Sequence, residues 1–147
     1  IGLALAKRLG LVFFDSDSEI EKDFQKPIPA IFSEEGEPVF RAAESQIIER
    51  LLQNKAAVIA TGGGALMKEH TLTLLKEKSV MIWLDVAEEV LWQRLQRQSH
   101  RPLLSVSNPK ARLSELLTLR KPFYKQAHIH LCIDHQTHGE VLEKLIK

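Results

Sequence analysis

Ala60-Thr61-Gly62-Gly63-Gly64-Ala65 is the stretch on which the fold turns. An apolar run, residues 56–60, leads into it, and helix-like sequence follows from Leu66. Apolar run, glycine turn and helix in that order is the pattern of an α/β protein, in which ligands lie at the carboxyl ends of strands. Glycine opens backbone angles closed to other residues and lets a ligand come close to peptide N–H groups. One glycine would read as a tight turn; three in a row favour a loop that faces a ligand.

Working outward, the same alternation repeats. Residues 1–9 carry apolar side chains at helical spacing, and Gly10 is a natural stop. Residues 11–14 read as a short strand ending in Asp15-Ser16-Asp17, with Asp17 or Ser18 as the cap of a helix over 19–24. Lys26-Pro27 breaks it, and 28–33 reads as a short helix. After a turn at 35–38, a long helix over 39–53 buries Phe40, Ala43, Ile47, Ile48 and Leu51. Residues 58–61 are the strand before the glycines and 69–76 a helix. Residues 80–85 form a strand so apolar that both faces should be covered. Then come a helix over 87–98, a polar loop over 99–109 that reads as a mobile lid, and a helix over 110–126 interrupted near Pro122. A last strand, 129–134, and a closing helix, 139–147, complete one domain over 1–147. This predicts an α/β fold with a parallel sheet in three α/β/α layers.

Composition excludes several classes. The 147 residues are 44% hydrophobic and 27% charged, with a formal net charge of +1. That balance argues against a nucleic-acid surface. No stretch is apolar for long enough to span a membrane. The single cysteine, Cys132, fits a reducing compartment and sits in an apolar run, where a buried structural thiol is expected. A cytoplasmic monomer is the expectation.

Several residues suggest chemistry. Asp15 and Asp17, two apart at a strand end, suit a divalent cation and a general base. Arg41 and Glu44, one turn apart, read either as a surface ion pair or as an anion-binding arginine positioned by the glutamate. Arg94, Arg97 and Arg101 lie at a helix end and the start of the loop. An arginine on a closing loop stabilises charge in phosphoryl transfer; a solvated basic face is the alternative. Arg120 is a second candidate anion clamp. The six histidines show no metal-ligand spacing.

Phe14-Asp15-Ser16-Asp17, Ile31-Phe32 with Gly36-Glu37-Pro38-Val39-Phe40-Arg41 and Glu44, Thr61-Gly62-Gly63-Gly64, Arg101-Pro102-Leu103-Leu104, and Arg120 before Pro122 and Tyr124 stand in an order that resembles the shikimate kinases. These are small P-loop kinases related to the nucleoside monophosphate kinases. The resemblance implies transfer of the γ-phosphoryl group of ATP to the 3-hydroxyl of shikimate, with Mg²⁺, on the route to chorismate and the aromatic amino acids. It implies that Asp17 binds the shikimate hydroxyls and acts as base. Arg41 and Arg120 would hold the carboxylate, and Gly62, Gly63 and Gly64 would line the pocket. Asp15 would help hold Mg²⁺, Arg101 would reach the ATP phosphates, and Arg94 and Gln136 would lie beside the adenine.

The chain departs from the family pattern at its start. Ile1-Gly2 resembles the residues just after the family's glycine-rich loop and its Gly-Lys-Ser/Thr. On this reading the P-loop and the first, central strand are not in the chain. The expectation is a gap in the sheet between the strands at Val58 and Val80, and no kinase competence in the chain as it stands. The competing readings are a non-catalytic kinase-like module that binds shikimate or a protein, and another small-molecule kinase such as gluconate kinase. Retained Asp17 and Arg101 argue against the first. Arg41, the glycine triplet and Arg120 together argue against the second.

Overall fold

Local sequence sets most of the element ends in this computed structural model, which describes residues 1–96, 108–134 and 136–146. Helix α1, Gly2–Leu9, stops at Gly10, whose φ of 69° is left-handed and whose N–H caps the last turn. Strand β1 is Val12–Asp15 and helix α2 Ser16–Phe24. The cap of α2 is Asp15, not Asp17 or Ser18: its carboxylate accepts from the Asp17 and Ser18 amides. Helix α3, Ile28–Glu34, follows Pro27, and α4, Glu37–Leu51, has Pro38 in its first turn. Strand β2, Ala57–Ala60, leads through the glycines into a 3-10 turn, Ala65–Met67, and helix α5, Glu69–Lys78. Strand β3 is Ile82–Asp85 and helix α6 Glu88–Leu95. Helix α7, Pro109–Tyr124, strand β4, Ile129–Cys132, and helix α8, His138–Ile146, complete the order.

Two expectations need correction here. Helix α7 is not interrupted at Pro122: it runs on to Tyr124, and the proline lies two residues from its end, so little helix follows the missing N–H. Pro109 belongs to that helix rather than to the preceding loop, and the Asn108 side chain accepts from the Ala111 amide to cap it. The rest of the predicted lid, with Arg97 and Arg101, lies outside the described residues.

The strands pair in parallel in two separate two-stranded sheets. In one, Val12 to Asp15 of β1 lie opposite Ala57 to Ala60 of β2; in the other, Ile82 to Asp85 of β3 lie opposite Ile129 to Cys132 of β4. No pairing joins β2 to β3, so the expected gap is present. Its consequence is visible on β3 and β4. Val80 is 67% exposed and Ile82 is also exposed, so the apolar run 80–85 is not covered on both faces. Cys132 is likewise exposed rather than buried, because β4 has a pairing partner on one side only and the thiol faces an open cavity.

Helix α4 ties the halves together. Its Ile47 and Leu51 pack with Phe40, Ile20 and Ile31, against Phe14 and Ile59 of the first sheet. Its Ile48 packs with Leu66, Leu72, Leu75 and Met81. Ile20, Ile31 and Ile48 are fully buried, each contributing about 1.5–3 kcal/mol by leaving water. Ser45 on α4 and Thr71 on α5 share a buried hydrogen bond of 2.8 Å that fixes the two helices against each other. Among the described residues, no helix is long and apolar enough to cross a membrane.

Candidate active site

The carboxyl end of β1 delivers two acids with separate duties. Asp15 Oδ1 accepts from the Asp17 amide at 2.9 Å and from the Ser18 amide at 3.4 Å. Asp15 does the capping, and the Asp17 side chain lies against Gly62. A Cβ built on Gly62 would stand 3.2 Å from Asp17 Oδ1 and 3.1 Å from Glu44 Oε2. Both carboxylates thus lie on the backbone of the first glycine.

Glu44 is the residue whose weight the sequence understates. Its spacing from Arg41 leaves a surface ion pair and a positioned anion-binding arginine both open; its side chain is only 3% exposed, which favours the second. Arg41 Nη1 donates to Glu44 Oε1 at 2.9 Å, and Glu37 stands 3.5 Å from Arg41 Nε on the other side. Burial pushes the Glu44 carboxyl above its ordinary value of 4.5; the Arg41 charge opposes this and the nearby Asp17 adds to it. A half-paired buried acid of this kind is a rigid anchor for a guanidinium. Glu44 Oε2 has no hydrogen-bond partner among the described residues.

The other two glycines each accommodate one arginine. A Cβ on Gly64 would lie 2.6 Å from Arg41 Nη1 and 2.7 Å from both Cζ and Nη2. One on Gly63 would lie 2.7 Å from Arg120 Nη1 and 3.1 Å from the Tyr124 hydroxyl. The triplet is required for room and not for unusual backbone angles, since only Gly10 and Gly36 have positive φ among the described glycines. Arg120 and Tyr124 sit one turn apart on α7, so both reach the same loop. Tyr124 donates its hydroxyl to the Gly63 carbonyl. Burial raises the phenol's pKa, with the Arg120 charge acting against it, so the donor stays protonated. The chain spacing from Arg120 was the only sequence signal for this role.

These side chains line a cavity of about 630 Å³ that extends across to Trp83, Asp85 and Cys132 on the second sheet and to Asp134 just beyond it. Its size suits a small molecule. Two fixed guanidiniums at one wall suit a carboxylate, and the Asp17 carboxylate suits hydroxyl donors.

Of the residues singled out from sequence, Asp17, Arg41, Gly62, Gly63, Gly64 and Arg120 come together around this cavity. Asp15 serves first as a helix cap. Arg94 is exposed on α6 and Gln136 precedes α8 with its Oε1 buried; neither lines the cavity. Arg101 lies outside the described residues.

The family model described as shikimate kinase matches residues 1–147. The chain is 38% identical to a shikimate kinase of Rhodopseudomonas palustris over 146 residues, covering 99% of this chain and 72% of that protein. It is 46% identical to a shikimate kinase of Nitrobacter winogradskyi over 129 residues, covering 88% of this chain and 60% of the relative. Among solved structures, a shikimate kinase from Acinetobacter baumannii in complex with shikimate superposes with a TM-score of 0.95 at 38% identity, covering 99% of this chain and 82% of that one. With the motifs in register, the site assembled and the match running end to end, this chain belongs to the shikimate kinase family of ATP-dependent kinases.

Proposed function

We propose that the cavity at the glycine triplet is a shikimate site and that the chain carries the acceptor side of phosphoryl transfer from ATP to the shikimate 3-hydroxyl. The observation that carries this reading is the convergence of Arg41, Arg120 and Asp17 on three adjacent glycines. Arg41, braced by Glu44, and Arg120 pair with the substrate carboxylate. Asp17 accepts hydrogen bonds from the ring hydroxyls and takes the proton of the attacking one. Phosphoryl transfer depends on positioning and charge neutralisation more than on covalent help, and these three side chains do the positioning.

The residues present fit Mg²⁺. Capping uses only Oδ1 of Asp15 among the described residues, and Mg²⁺ is commonly held by one or two carboxylates with water and phosphate oxygens. Bound there, it would neutralise charge on the ATP phosphates. Arg101, Arg94 and Gln136 are proposed for the nucleotide side, on the family pattern alone. A cytoplasmic setting accords with the single cysteine.

The test is ADP release by the natural polypeptide with and without shikimate, alongside its Asp17→Asn variant. Shikimate-dependent ADP formation, strongly reduced in the variant while ATP binding persists, is the expected result. A fully active variant would remove Asp17 as the base. No dependence on shikimate would overturn the substrate assignment.

A further inference from the structure

The parallel register of β3 and β4 sets Trp83 opposite His130 and Asp85 opposite Cys132. Side chains two apart on a strand share a face, so this pairing gathers three potential ligands. His130 Nε2 is 2.8 Å from Asp85 Oδ2. Cys132 Sγ is 4.0 Å from the same oxygen and 3.9 Å from His130 Nε2. Trp83 stacks on the His130 ring at a centroid distance of 4.1 Å and an interplanar angle of 13°, which fixes its direction. The ligand atoms of all three residues lie within 4.8 Å of one another.

We propose that Asp85, His130 and Cys132 form a site for Zn²⁺ or a similar borderline-soft divalent cation, separate from the Mg²⁺ position beside Asp15. Zinc takes thiolate, imidazole and carboxylate together, at about 2.3 Å to sulfur and 2.0–2.2 Å to nitrogen and oxygen. Tetrahedral coordination at those lengths puts the ligand atoms about 3.3–3.6 Å apart. Each of the three observed separations is within about half an ångström of that, so small side-chain rotations close the site. Binding would displace the thiol proton of Cys132 to solvent and replace the His130–Asp85 hydrogen bond by two bonds to the metal. Three protein ligands leave a fourth position for water or another small ligand. Asp85 and Cys132 both line the cavity described above, so that position is reachable from it. A hard cation such as Mg²⁺ has no use for the thiolate, so the donor set discriminates against the ion the kinase site would take.

The test is titration of the metal-free protein with Co²⁺ as a spectroscopic probe, then competition with Zn²⁺, for the parent, Cys132→Ser and His130→Gln. A thiolate-to-cobalt charge-transfer band with tetrahedral visible bands, at one ion per chain and abolished by Zn²⁺, is expected. Removing outer-shell partners costs about 10–100-fold in affinity, and removing a ligand here should cost more than the upper figure. Far-ultraviolet circular dichroism shows that each variant is folded; should Cys132→Ser not fold, the His130→Gln titration and the charge-transfer band of the parent decide alone. Cobalt binding without the thiolate band, binding unchanged in either folded variant, or no binding below millimolar metal would each overturn the proposal.

Discussion

The guanidinium of Arg41 occupies the space that a Cβ on Gly64 would need, 2.6 Å from Nη1. Arg41 cannot retreat freely, because Glu44 holds it from a buried position at 2.9 Å. Gly64→Ala should therefore displace the guanidinium rather than simply crowd it. Misplacement of a positioning group by about 1 Å can cost 100-fold, so kcat/KM for shikimate should fall by about 10- to 100-fold, with KM rising. Gly139→Ala is the control, since a Cβ there meets only Thr137 Oγ1 at 3.8 Å. Steady-state kinetics on both variants of the natural polypeptide checks this. Equal behaviour of the two would show that Gly64 is not needed for the arginine.

Glu44 makes stability depend on pH in an unusual direction for a carboxylate. Its folded pKa is raised above 4.5, chiefly by burial. The folded chain therefore keeps a proton that the unfolded chain releases. The stabilisation from that proton is fully present below about 4.5 and is lost as pH rises through the folded value. The unfolding free energy of the parent, minus that of Glu44→Gln, should fall as pH rises above 4.5, by at most about 1.4 kcal/mol per pH unit. Urea denaturation across that range measures it. A difference that stays flat or grows would show that Glu44 is fully ionised in the fold.

Arg120 and Tyr124 act on the same glycine by different means. Arg120→Ala removes a cation from the substrate wall and should raise the shikimate KM with little change in the KM for ATP. An unchanged shikimate KM would remove Arg120 from the carboxylate clamp. Tyr124→Phe keeps the ring but loses the hydroxyl's hydrogen bonds to the Gly63 carbonyl and with Arg120. A neutral hydrogen bond contributes about 0.5–1.5 kcal/mol, so its effect on kcat/KM should be several-fold and smaller than that of Arg120→Ala.

The Ser45–Thr71 hydrogen bond is buried between α4 and α5. Thr71→Val keeps the shape but strands the Ser45 hydroxyl, at a cost of about 1–3 kcal/mol. Adding Ser45→Ala should recover part of that loss, because the pair disappears together. A double-mutant cycle by denaturant unfolding reads the coupling. Strict additivity would mean that the two hydroxyls stabilise the protein independently.

What was legible from the amino-acid order was whatever repeats over a short span. Glycine at position 10, proline at 38 and the spacing of Phe40, Ile47, Ile48 and Leu51 determine where helices start, stop and turn their apolar sides, since these depend on neighbours within a few residues. The motif order also pointed to the family and to the gap between the strand pairs. Other features depended on tertiary contacts. Asp15 rather than Asp17 caps α2, because the helix begins at Ser16, directly after the strand. Glu44 is buried because α4 is sandwiched between two clusters. The glycine triplet is explained only once Asp17, Glu44, Arg41 and Arg120 are seen to approach it from three different helices. Asp85, His130 and Cys132 meet through sheet register, 45 and 47 positions apart along the chain, and Cys132 is exposed there although its apolar neighbours predict burial. Periodicity reports which face a side chain takes on its own element; it carries no information on what another element brings to that face.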